Sequence, residues 1–140
     1  MATYNKFQQF VKDLIDGVHD FDAHTFKVML TNTAPVATNT IKSNLTEISA
    51  GSGYTAGGTA TTITTSVAMG VAKVTGTDVT FTASGGSIGP FRYAVLYNDT
   101  PTSPADPLIA WWDYGSSITL ADTEQLVVDF DGTNGLFTLT

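Results

Sequence analysis

The sequence predicts a mainly β protein of α+β type. One N-terminal amphipathic helix is followed by a β-sandwich or flattened barrel of about eight short strands. Three observations carry this reading. Threonine, whose β-branched side chain suits a half-buried pleated surface, supplies 24 of the 140 residues. Apolar residues recur at three-to-four spacing up to Val18 and at a spacing of two from Thr25 onward. Turn-forming glycine, proline and asparagine then punctuate the chain about every 8–12 residues, the interval of short strands. The length is that of one domain, 1–140, with a helix over 1–18 and a β-rich body over 25–140.

In the helix, Tyr4, Phe7, Phe10, Val11, Leu14, Ile15 and Val18 share one face, and Thr3 is placed to cap its start. Such a helix is marginal alone and is expected to cover its own sheet. From Thr25 to Thr31, Phe26, Val28 and Leu30 point one way while Lys27, Met29 and Thr31 point the other, a half-buried strand that Pro35 keeps from extending. Ile41, Leu45 and Ile48 suit one short helical turn, and residues 50–58 form a glycine-rich loop around a single aromatic, Tyr54. Strands follow over 59–66, 71–75 and 78–83. Segments 91–97 and 108–112 are apolar on both faces and read as central strands. The loop between them holds Pro101, Pro104 and Pro107 and is expected at the surface. Strands over 118–120, 126–130 and 136–139 complete the set, with residues 131–135 read as a hairpin turn.

Charge narrows the function. The net charge is −7, yet residues 1–92 hold six Lys/Arg against six acids, while residues 93–140 hold seven acids and no Lys or Arg. No basic stripe exists to displace counterions from phosphate, so neither nucleic acid nor an anionic membrane surface is an expected partner. No apolar run is long enough to span a bilayer, and the N-terminus lacks a signal-peptide layout, so folding in a cytoplasm is expected. The absence of cysteine removes disulfides, Fe–S clusters and thiol nucleophiles.

Catalytic constellations are likewise not assembled. Gly51, Gly53, Gly57 and Gly58 miss the dinucleotide spacing and lead into a threonine-rich strand, so they read as a turn-rich connection with Tyr54 packed down. His19 and His24 flank one turn without a third ligand, and no nucleophile elbow is present. Asp129, Asp131 and Asn134 offer oxygen ligands for Ca²⁺, but Asp-Gly and Asn-Gly already account for a turn. No enzyme, cofactor or metal is therefore expected. Trp111 and Trp112 face opposite ways on a strand, so one indole belongs to the core and the other competes for an interface.

The order of segments carries a resemblance. After the helix come Phe26-Lys-Val-Met-Leu-Thr-Asn-Thr-Ala-Pro35, Leu45-Thr-Glu-Ile-Ser-Ala-Gly-Ser-Gly-Tyr54, Gly89-Pro-Phe-Arg-Tyr-Ala-Val-Leu-Tyr-Asn-Asp99 and Pro107-Leu-Ile-Ala-Trp-Trp-Asp113. With the closing 117–130 pair, this resembles the short virion proteins of tailed bacteriophages, the capsid decoration (cement) and small tail-fibre-like proteins. The resemblance implies a non-enzymatic protein on the outer capsid, assembled in the host cytoplasm. As a homotrimer bound to the major capsid protein, it would clamp neighbouring capsomers. Two alternatives accompany it: a tail or tail-fibre component for host attachment, and a carbohydrate-binding β module using Trp111 or Trp112. Candidate contact residues are Tyr4, Phe7, Tyr54, Pro101, Pro104, Trp111 and Trp112.

Overall fold

The structure, a computed structural model, describes residues 2–140. Its elements are β1 (Thr3–Lys6), α1 (Gln8–Ile15), β2 (Phe26–Thr31), a 3₁₀ turn (Lys42–Asn44), β3 (Thr59–Thr61), β4 (Ile63–Ala68) and β5 (Val71–Gly76). They continue with β6 (Val79–Thr82), β7 (Ile88–Asn98), β8 (Leu108–Leu120), β9 (Gln125–Val128) and β10 (Phe137–Leu139). All pairings are antiparallel, in a five-stranded sheet β1-β8-β7-β2-β3, a three-stranded sheet β10-β5-β4 and a two-stranded sheet β6-β9. The sheets stay open rather than closing, so the sandwich form holds and the flattened barrel does not.

The large sheet is covered on both faces. On one, Phe26, Val28, Leu30, Leu96 and Ala110 join Val74, Val79, Phe81 and Val128 from the two smaller sheets, and Phe130 and Leu136 from the segment between β9 and β10, in one core. On the other, Met29, Val95, Tyr97 and Leu108 pack with Phe7 and with Leu45, which the segment after β2 carries back over the sheet. Strands β7 and β8 are thus buried on both sides over Val95–Asn98 and Leu108–Ala110, within their uninterrupted apolar runs, while the middle of β8 is exposed.

Four segments differ from the sequence reading. The helix does not span 1–18. Residues 3–6 form an edge strand paired with β8, Tyr4 opposite Trp112 and Asn5 opposite Trp111. The ladder left open by β8 outcompetes four more residues of a marginal helix. Helix α1 therefore starts after Phe7 without a side-chain cap. Its first amides are met by tertiary contacts instead, Phe7 N–H donating to the Ile109 carbonyl (3.1 Å) and Gln8 N–H to that of Ala37 (2.9 Å). Only Phe10 of its apolar stripe is fully buried, while Ile15 lies outside the core.

Residues 131–135 make a turn, but not a hairpin. β9 pairs with β6 and β10 with β5, so the turn transfers the chain between sheets. The Asp131 carboxylate accepts the N–H groups of Thr133 (2.9 Å) and Asn134 (2.8 Å), and Leu136 N–H then donates to the Val74 carbonyl at 2.7 Å. The segment 59–66 divides at Thr62 into β3 and β4, which lie in different sheets. Conversely, 108–112 and 118–120 are one strand, β8, continuous through Gly115.

Candidate interaction cleft

β8 alternates through Trp111 and Trp112 and sends the two indoles to opposite faces. Trp111 packs on Phe7, ring centroids 4.5 Å apart. Trp112 instead lies between Phe130 at 5.2 Å and Tyr4 at 5.6 Å, the latter edge-on. Both indoles remain half-buried. On the Trp112 side, β1 and the middle stretches of β7 and β8 stand apart from β9 and the 129–136 segment, leaving a cleft of about 890 Å³. Tyr4, Tyr93, Trp112, Tyr114 and Phe130 line it, with Arg92, Asp129 and Asp131 as its charged groups.

Arg92 is held in place by Asp113. Its Nε and Nη2 donate to the two carboxylate oxygens at 2.7 and 2.9 Å, a bidentate pair, and its guanidinium lies 5.4 Å from the centre of the Tyr93 ring. The hydrogen bond from Arg92, joined by the N–H of Gly115, holds the Asp113 carboxyl below its usual range. Burial raises the Tyr4 phenol above its ordinary value, so it stays a neutral donor. Asp131 is held below the usual carboxylate range, chiefly by the Asn134 N–H. Both of its oxygens serve the turn, the second accepting from Asn134 Nδ2 at 2.7 Å. The cleft is thus a mostly aromatic surface with one fixed cation and an acidic rim.

Of the seven candidate contact residues, the structure brings Tyr4 and Trp112 together in this cleft. Phe7 is fully buried beneath Trp111, and Tyr54 is buried against Phe81. Neither offers a surface in this fold, because the step from β1 into α1 and the glycine loop both turn their aromatic inward. Pro101 is half-buried and Pro104 exposed, in a compact turn whose Asp106 N–H donates to the Pro101 carbonyl, and neither lines the cleft. Trp111 belongs to the opposite face.

Tyr93, Tyr114, Phe130 and Arg92 were not legible as site residues from sequence. The available signal was Tyr114, two residues beyond Trp112 on the same strand. It counts only if β8 runs past residue 112. The histidines lie elsewhere: Asn98 Nδ2 reaches His19 Nδ1 at 3.1 Å and His24 Nδ1 at 2.9 Å, tying the turn before β2 to the end of β7.

No family model, curated protein or solved structure matches this chain.

Proposed function

We propose that this chain is a non-enzymatic virion structural protein, a capsid decoration (cement) protein that binds the outer capsid and stabilises contacts between capsomers. The observation that carries the reading is the cleft. It gathers Tyr4, Tyr93, Trp112, Tyr114 and Arg92, the residue types enriched at the cores of protein interfaces, at the margin of the main core, whose Phe91, Val128, Phe130 and Leu136 also line it. Asp129 and Asp131 at its rim complement a basic surface on the major capsid protein. The ordered likeness to short phage virion proteins supplies the partner and the virion location of this reading. Cryo-EM of the particle from the source virus tests it. Density over the outer shell in hundreds of copies is the expected result. Density confined to the tail would move the chain to the fibre class, and its absence from the particle would end the virion reading.

A second reading rests on Tyr114, which is about half exposed beside Trp112 and Arg92. Exposed aromatic faces flanked by fixed polar groups are the means by which sugar rings are held, so a carbohydrate-binding module is the competing assignment. Quenching of tryptophan fluorescence by millimolar glycan, lost in Trp112→Ala, would favour it over the capsid reading.

A further inference from the structure

We propose that β4 is a strand-pairing edge through which two copies of this chain join, β4 against β4 and antiparallel about a twofold axis. The inference stands apart from the virion reading and rests on a different part of the molecule. β4 and β5 form a hairpin closed by Met69 and Gly70, both at positive φ (50° and 79°). That two-residue turn makes Ala68 and Val71 a hydrogen-bonded pair. By alternation, Ile63, Thr65 and Val67 direct their N–H and C=O groups away from β5, at the outer margin of the sheet order β10-β5-β4. These are unpaired ladder groups, and the partner they fit is another strand.

Edges of this kind are ordinarily guarded by charge, proline, a bulge or brevity. β1 carries Lys6, β9 lies between Glu124 and Asp129, β6 follows Asp78 directly, and β3 and β10 have three residues each. β4 has none of these guards. Residues 48–72, which include all of β4, contain no charged side chain. In a chain of net charge −7, this neutral span is where two like-charged copies can approach without repulsion.

The sequence of β4 is also complementary to itself. Antiparallel pairing centred on Thr65 sets Thr65 against its own copy, Thr64 against Ser66, and Ile63 against Val67. Each is a favourable cross-strand pair, and the twofold repeats them on the other side. In the same register the outward-facing groups of Ile63, Thr65 and Val67 meet those of Val67, Thr65 and Ile63 in the second copy. Val67 is 73% exposed, whereas Ile63 packs against the edge of the core. Pairing therefore lays the exposed valine of each copy beside the core margin of the other.

Sedimentation velocity of the full chain over a range of concentrations tests this. The expected species has twice the 14.8 kDa monomer mass. Thr65→Lys or Thr65→Glu sets like charges against each other across the axis. Each alone is expected to raise the dimer dissociation constant at least tenfold without moving the thermal midpoint extrapolated to the monomer. An equimolar mixture of the two is expected to restore the dimer, which neither misfolding nor a contact elsewhere would do. Thr65→Pro, which removes an N–H that β5 does not use, is expected to leave a folded monomer. A wild-type chain that stays monomeric at about 100 μM would overturn the proposal. So would an oligomer indifferent to both charge variants, or charge variants that fail to pair when mixed.

Discussion

The Tyr54 hydroxyl donates to Glu47 Oε1 at 2.7 Å, and this bond anchors the glycine-rich loop to the large sheet. The same hydroxyl accepts the Leu30 N–H at 3.0 Å, while Glu47 also accepts the Gly57 N–H and pairs with Lys42 at 2.9 Å. One phenol thus connects β2, the loop and the 3₁₀ turn, and burial pushes its pKa far above the ordinary tyrosine value. Tyr54→Phe keeps the ring against Phe81 but strands two partners. It is expected to lower stability by about 1–3 kcal/mol in urea unfolding at pH 7, the cost of leaving buried groups unpaired. Glu47→Gln should fall in the same range, and a double variant should lose less than the sum of the two.

Gly58 does structural work that no ligand is needed to explain. Its φ is +79°, and a Cβ there would lie 1.9 Å from the Val28 carbonyl oxygen, inside the β2–β3 crossing. Gly17 has a similar φ of +76° at the end of α1, but a Cβ there would meet nothing within 4 Å. Gly17→Ala is therefore expected to cost about 1 kcal/mol from backbone strain alone. Gly58→Ala should cost about 3 kcal/mol or more, since strain and overlap combine. Thermal unfolding of the pair separates the two contributions. Equal losses would mean that the close approach to Val28 is not held in solution.

How much of this was readable from sequence follows from the range of the interactions. The central strands were legible because residues 91–97 and 108–112 carry their burial in their own composition. The N-terminal segment was not, since Tyr4 and Phe7, three residues apart, fit a helical stripe, whereas the extended chain sends them to opposite faces of the sheet. The deciding partner, the open edge of β8, lies a hundred residues away. The turn at Asp131 was legible as a turn, but its Asp-Gly and Asn-Gly steps say nothing about which strands it joins. The cleft depends on β8 continuing past Trp112 to Tyr114, next to a glycine that in sequence reads as a break. Trp112 and Tyr4 were found as aromatics worth attention. Their neighbours Tyr93, Tyr114 and Phe130 became visible only with the register.

His19 makes the fold sensitive to mild acid. Burial lowers its pKa from 6.5 to about 4, with His24 adding in the same direction and the Asp13 carboxylate opposing. Between these values the unfolded chain binds a proton that the folded chain excludes. Stability is therefore full above about pH 6.5 and falls as the pH drops toward 4. Each tenfold loss of proton affinity is worth about 1.4 kcal/mol, so this residue accounts for at most about 3 kcal/mol of the fall. His19→Phe keeps a ring of similar size beside Phe10 and is expected to flatten the dependence of urea midpoint on pH between 4 and 6.5. An unchanged slope in that variant would assign the acid sensitivity to other groups.

The cleft yields the prediction most directly tied to function, because its residues differ in what they do for the fold. Tyr114 is 54% exposed and lies in no core cluster, whereas Trp112 packs on Phe130 and Tyr4. Tyr114→Ala should change stability by no more than about 0.5 kcal/mol, as surface substitutions do. If the cleft is the contact surface, the same change should weaken docking to particles lacking the protein by about tenfold or more, the scale of an aromatic anchor. Trp112→Ala should lose both, with a stability loss of about 2–4 kcal/mol, below that of a fully buried aromatic. Arg92→Lys breaks the bidentate pair with Asp113 while keeping the charge, and it should weaken docking more than it weakens the fold. Particle-binding isotherms set beside urea unfolding curves for the three variants decide the matter. If docking losses simply track stability losses, the cleft is part of the scaffold and the contact surface lies elsewhere.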